Sequence, residues 1–295
     1  MKILHLRTLA SLLVLGAMLV VGSFQAFTAV AQGTSTSSGD GFIKADIERD
    51  VDKLLELTDV DVTLAFINDG QARLLEDGKK NGAISKDSWP YLDEALKTAF
   101  APERLKRIVR KSYVDHVDPA QLPGMLTWFG SDAGRKITAA QNRVMNRAGE
   151  KALFAYRDNP QSAPPSEARL KILRRINELS RASENQDLIL QNMQKIFVDG
   201  FTFYRKNSTA EVASITKLIT ESRAKALQRV ILGMAYIFRE LDDRTLEQQI
   251  EFLESPAGKN FVANANIVER ALWDDIHKNH LLLMMGQMIG KLDPP

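Results

Sequence analysis

The chain has no cysteine among its 295 residues. That excludes disulfides, a cysteine-based metal site and a lipid-modified cysteine behind a leader. An excess of charge is also missing, with 39 basic against 37 acidic side chains. Nucleic-acid binders usually show a basic footprint, and neither the totals nor any long basic run supplies one. Strand-like alternation of apolar and polar residues is scarce. There is no phosphate-cradling glycine loop, no G-x-S-x-G elbow and no H-E-x-x-H helix, so the common local signatures of phosphoryl transfer, ester hydrolysis and zinc proteolysis are absent.

What is present begins with MKILHLRTLASLLVLGAMLVVGSFQAFTAVAQG. Lys2 and Arg7 precede an apolar run from Leu9 to Val21, and a more polar stretch ends in Ala29-Val30-Ala31. The pattern reads as a secretory signal over residues 1–31, cut before Gln32; an uncleaved membrane anchor is the alternative. The apolar run is short for a spanning helix, which needs about 20 residues. Removing the signal leaves 37 basic and 37 acidic side chains. Without disulfides, such an exported protein must rely on its core, and its length allows a sizeable one. Residues 32–41, QGTSTSSGDG, read as a flexible leader.

From Phe42 onward the apolar residues follow helical periodicity, and the fold class expected is all-α, a helical bundle. Over 102–117, Leu105, Ile108, Val109, Ser112 and Tyr113 share a face; over 222–241, Leu227, Val230, Ile231, Met234, Ile237, Phe238 and Leu241 do. RDNPQSAPPSEA at 157–168 is the clearest break. The halves on either side look like diverged tandem copies of one multi-helix unit, 42–157 and 167–295, joined by a linker at 158–166. Asp118, Leu122, Trp128, Ser131, Ala133, Gly134, Ala139, Asn142 and Val144 recur, 124 positions on, as Asp242, Leu246, Phe252, Ser255, Ala257, Gly258, Ala263, Asn266 and Val268. LLELTD at 54–59 is similar to INELSR at 176–181, at an offset of 122.

The repeated motif reads as a corner between helices. Asp118 and Asp242 are placed to cap a helix whose stripe is Leu122, Leu126 and Phe129, or Leu246, Ile250 and Leu253, widened by Trp128 or Phe252. Ser131 and Ser255 then cap the next helix, with Pro256 suited to its first position and Asp132 to its positive end. Gly134 and Gly258 lie in the first turn, where a missing side chain lets two helix ends approach. An anion site is the competing reading, with Arg135, Lys136 and Lys259 nearby. The capping serine already satisfies part of that demand, which favours the corner.

LDDRTLEQQIEFLESPAGKNF, with the amphipathic helix before it, resembles a family of exported bacterial proteins, family 2059 of the domains of unknown function. Phe252, Ser255, Pro256 and Gly258 match its F-x-x-S-P-x-G corner. At the first corner Trp128, Ser131 and Gly134 match, while Asp132 replaces the proline. The resemblance is stronger over the second corner than over the first. It implies a helical fold, export to the envelope and no assigned activity, and it supplies no catalytic residue.

WDDIHKNH at 273–280 places Asp274, His277 and His280 at intervals of three on one expected helix, where two at a time could share an ion. Trp273, His277, His280, Met284 and Met288 also share a side, so hydrogen bonding within a largely apolar contact is the stronger reading of the histidines. His116 beside Asp115 reads as a polar helix end. HLLLMMGQMIGKL at 280–292 is apolar around most of its circumference, too short to span a membrane, and must be covered by the fold, a partner or an apolar ligand. The expectation is therefore a periplasmic, non-enzymatic helical protein, with no catalytic, cofactor or metal site, acting in protein–protein interaction or scaffolding. Its partner would be an unknown envelope protein or a second copy of itself. The alternatives are a binding module or holdase for apolar chains or lipids near the C-terminal helix and, last, a metal-dependent hydrolase.

Overall fold

The computed structural model describes residues 40–80, 89–191 and 229–276, together with positions 213, 216, 217 and 220. The expected signal, 1–31, and nearly all of the expected leader lie outside these residues. Ten helices are used below: α1 Asp40–Leu57, α2 Val60–Lys80, α3 Trp89–Ala99, α4 Pro102–His116, α5 Leu122–Gly130, α6 Asp132–Asn142, α7 Arg147–Asp158, α8 Glu167–Ser180, α9 Asp243–Glu254 and α10 Pro256–Ile276. Residues 182–191 and 229–237 are also helical. Among the described residues there is no strand, and the protein is all-α.

Local chemistry sets the boundaries. Pro102 opens α4, where its missing N–H would have had no partner. Asn146 accepts from Ala148 N at 3.1 Å and Gly149 N at 3.0 Å to start α7. Ser166 accepts from Arg169 N at 3.1 Å to start α8, after a short 3₁₀ turn at Pro160–Ser162. Two helix ends are closed by non-glycine residues in the left-handed region, Asp59 at φ 50° after α1 and Arg181 at φ 55° after α8. These two residues are 122 positions apart, the offset that relates LLELTD to INELSR.

One hydrophobic cluster runs through both halves of the chain, from Val51 and Leu54 in α1 to Leu272 and Ile276 in α10. Its broadest internal contact joins α4 to α10. Those two helices run antiparallel. Arg104 near the start of α4 pairs with Asp275 near the end of α10, and at the other end Asp118 N donates to Asn260 Oδ1 at 3.2 Å. Between these ties Tyr113 stacks on Phe261, with ring centroids 6.4 Å apart. The face expected on α4 is the buried one: Leu105, Val109, Ser112 and Tyr113 are inside and Ile108 packs at its edge. Val230, Met234, Ile237 and Phe238 are buried in the same way.

Four of the other contacts are arranged alike two by two. α1 lies on α5 as α8 lies on α9; α6 touches α9 as α5 touches α10. α8 is fastened to the turn before α9 by Arg169, which pairs with Asp243 and donates to Leu241 O at 2.7 Å. The runs Asp132–Asp158 and Pro256–Ile276 differ. After α6 the chain breaks at Asn146 and restarts as α7, whereas α10 continues unbroken through Arg270 and Trp273. At the offset of 124, Arg270 and Trp273 stand where the first run has the capping Asn146 and Gly149. No helix among the described residues is long and apolar enough to cross a membrane.

Candidate functional site

The two Ser-x-x-Gly corners have the same geometry. Ser131 Oγ accepts from Gly134 N at 3.0 Å and donates to Trp128 O at 2.6 Å. Ser255 Oγ accepts from Gly258 N at 3.0 Å and donates to Phe252 O at 2.6 Å. Each hydroxyl therefore caps the new helix and also closes the carbonyl end of the old one. The second bond was not foreseen from sequence, where the serine reads as an N-cap alone. In each corner the hydroxyl proton is held by a backbone carbonyl and not by a basic side chain.

The glycines are constrained more tightly than the sequence suggests. A β-carbon on Gly134 would fall far inside contact distance of the Trp128 carbonyl oxygen, and one on Gly258 would do the same to that of Phe252. Gly149, three residues after Asn146, meets the Arg143 carbonyl in the same way, so a third corner of this kind stands at the start of α7. Asp118 and Asp242 cap as expected, accepting from Ala120 N at 3.0 Å and Thr245 N at 2.7 Å. Asp118 starts a 3₁₀ turn, Pro119–Gln121, before α5 begins.

The corners meet across the middle of the molecule. Trp128 and Phe252, 124 positions apart in the sequence, stack with centroids 4.9 Å apart and planes 7° from parallel. Phe129 packs edge-on to Phe252 at 5.6 Å and tilted against Phe261 at 4.7 Å. The buried stripes differ from expectation at one position in each helix. Met125 is fully buried and Leu126 only partly; Gln249 is buried and Ile250 only partly. The reason is that α5 and α9 each touch several helices, which widens the covered arc beyond a one-sided stripe.

The cations of the first corner are engaged within it. Arg135 donates to Gly130 O, and Lys136 pairs with Asp132 at 2.7 Å. Hydrogen bonding to Lys136 holds the Asp132 carboxyl below the usual range, with the lysine charge acting in the same direction. The geometry is that of a braced turn, not an open anion cradle. His116 Nδ1 lies 2.9 Å from Ser112 O, and Asp115 pairs with Lys111, so both serve the end of α4.

Two hollows lie beside the corners. An internal cavity of about 40 Å³ is bounded by Thr63, Tyr113, Phe129, Thr138, Asn142 and Met145. Burial pushes the Tyr113 phenol far above its usual pKa, so it stays neutral there. An open groove of about 580 Å³ lies between α2 and the start of α7, over Val62, Ala65, Phe66, Ala72 and Met145. Val62 is 39% exposed. Arg73 at the groove edge pairs with Glu150 at 2.9 Å. Burial raises the Glu150 pKa, and Arg73 works against that rise.

Glu269, midway along α10, is 2% exposed, and neither carboxyl oxygen has a hydrogen-bond partner of good geometry. Burial pushes its pKa up to about 8, with the Trp273 indole and Arg270 opposing. Sequence reasoning passed over it, because a lone glutamate in a helix reads as a solvent-facing residue. Among the described residues no three His, Cys, Asp or Glu side chains are placed to hold a metal. Asp274 is in the last turn of α10; His277, His280 and the apolar stretch 280–292 lie outside the described residues.

Residues 103–153 are similar to the family described as "Uncharacterized protein conserved in bacteria (DUF2059)". The match runs from α4 through both helices of the first corner into α7. It falls on the first corner, whereas the resemblance read from sequence is stronger at the second. The likeness thus extends over a whole run of helices and does not depend on the Ser-Pro-x-Gly turn. No curated protein and no solved structure matches the chain.

Proposed function

We propose that this chain is an exported α-helical scaffold of the bacterial cell envelope, built from two tandem copies of one multi-helix unit, 42–157 and 167–295, and acting by contact with other proteins. The observation that carries the reading is the Trp128–Phe252 stack, where one position of each unit meets its own counterpart. A two-fold-related pair makes contacts of this kind: a residue touches its equivalent, and each i–j contact returns as j–i. The paired contacts α5–α10 and α6–α9 support the same arrangement. So do the left-handed residues Asp59 and Arg181 at matching places. The corner serines support a structural role, since their hydroxyls are spent on the turn. Export rests on the charge–apolar–AVA pattern of residues 1–31.

The test is to isolate the native protein, sequence its N-terminus and photo-cross-link it in intact cells. The expected results are a first residue of Gln32 and a discrete adduct, either with an envelope protein or with a second copy. A native chain beginning at Met1, or no discrete adduct from any surface position, overturns the reading.

The second reading, a binding module for apolar chains or lipids, draws on the open groove over Val62 and Phe66. It predicts saturable binding of a hydrophobic dye that Val62→Asp abolishes. Dye binding equal in parent and variant counts against it.

A further inference from the structure

The groove between α2 and the start of α7 is lined by one unpaired charge of each sign. Asp69 and Arg147 both line it, and both are exposed. Neither has a hydrogen bond or an ion pair among the described residues. For Asp69 this is unexpected, because Arg73 stands four residues on along α2, at the spacing that favours a pair. Arg73 turns away instead. Its guanidinium lies 5.6 Å from the Phe66 ring centroid and pairs with Glu150 at 2.9 Å. That bridge ties α2 to α7 and fixes the wall of the groove. Apart from Arg73 and Asn146, the rest of the lining is apolar: Val62, Ala65, Phe66, Ala72 and Met145.

A groove of about 580 Å³, with small side chains at Ala65 and Ala72, admits a helix laid along it. The charges decide whose helix. A free carboxylate and a free guanidinium on one apolar surface make that surface self-complementary. Turned about a two-fold axis, each copy offers Arg147 to the other's Asp69 and Asp69 to the other's Arg147. An anionic lipid would meet Arg147 but be repelled by Asp69, and a wholly apolar chain would leave both charges unpaired beside it. We propose that the α2–α7 groove is a self-association surface, on which a second copy of this chain docks with Asp69 of each copy against Arg147 of the other. Because Arg73 and Glu150 already hold the wall, little has to be ordered on binding. The proposal names a partner for the scaffold reading and rests on it. It needs neither export nor an envelope protein, so the pure chain tests it separately.

Analytical ultracentrifugation of the purified protein over a concentration series reads its mass in solution. The parent is expected to reach a dimer. Asp69→Arg and Arg147→Asp, each studied alone, set like charges against one another at both contacts and weaken dimerisation by about tenfold or more. The melting temperature holds in both, because both positions are exposed. An equimolar mixture of the two variants restores dimerisation to the parent's strength, since each chain then presents the charge that the other lacks. No change within a single chain produces that rescue. A parent that stays monomeric throughout the series, or single variants that dimerise as the parent does, overturns the proposal. A mixture as weak as either variant overturns it too, because the contact is then not between Asp69 and Arg147. A monomeric parent that binds a hydrophobic dye, with binding abolished by Val62→Asp, gives the groove to an apolar ligand instead. A monomeric parent that still cross-links to an envelope protein in cells overturns this proposal and leaves the scaffold reading standing.

Discussion

Trp128 and Phe252 lie face to face, 4.9 Å between centroids, although 124 residues separate them in the chain. The stack joins the end of α5 to the end of α9, immediately before the two corner serines. Its contribution is measurable by a double-mutant cycle of Trp128→Leu and Phe252→Leu. A coupling of about 0.5–1.5 kcal/mol is expected. Additive effects in denaturant unfolding would mean that the rings are neighbours without energetic consequence.

The corner glycines separate two opposite effects of the same substitution. Gly258→Ala drives a methyl group into the Phe252 carbonyl and is expected to cost about 1–3 kcal/mol or more. Gly130→Ala, where a β-carbon meets nothing within 4 Å, is expected to stabilise by about 0.5–1 kcal/mol. Thermal melts of the two variants should move in opposite directions. A Gly258→Ala protein that melts with the parent removes the close-approach argument.

Arg181 occupies the left-handed region at φ 55°, where an L side chain crowds its own backbone. Arg181→Gly relieves this and is expected to stabilise the protein by about 1 kcal/mol. The substitution also loses the ion pair with Glu184, an exposed pair of small worth. Chemical denaturation of Arg181→Gly and of Arg181→Ala resolves the two: only the glycine should raise the midpoint.

Glu269 predicts a pH dependence. Its folded pKa is raised from 4.5 to about 8, so between those values the folded state holds a proton that the unfolded state has released. The contribution is fully present below about pH 4.5 and is lost as pH rises toward 8. Glu269→Gln keeps the shape and removes the titration. The parent's melting temperature should fall relative to the variant's from pH 5 to 8, in proportion to that window. Parallel pH profiles would show that the carboxyl ionises without affecting the fold.

The corners were legible in the sequence because their causes are local. A capping serine, a first-turn proline and a glycine three residues on each act within one turn of helix. The face of α4 was legible for the same reason, since 3.6-residue periodicity places Leu105, Val109 and Tyr113 together. What was not legible depends on partners distant in the chain. Met125 and Gln249 are buried because their helices are contacted from several sides. Asp59 and Arg181 hold backbone conformations that would have signalled a helix stop had they been glycine. Glu269 and Arg157 are ordinary helix-surface residue types, and only packing by other elements takes them out of water. That Trp128 and Phe252 stand at the same place in two similar motifs could be read from the sequence; that they touch could not.

The pairing of α4 with α10 sets the order of synthesis against the order of packing. Val109 and Tyr113 leave the ribosome early, yet the side chain that covers Tyr113, Phe261, is near the end of the described chain. Until α10 arrives, a nascent chain carries an uncovered aromatic and aliphatic face on α4. Long-range contacts of this kind slow folding and lengthen the interval in which apolar surface can be captured by other chains. A nascent chain stopped anywhere before Phe261 is therefore not a smaller stable protein but a client for whatever shields exposed helices in the cell.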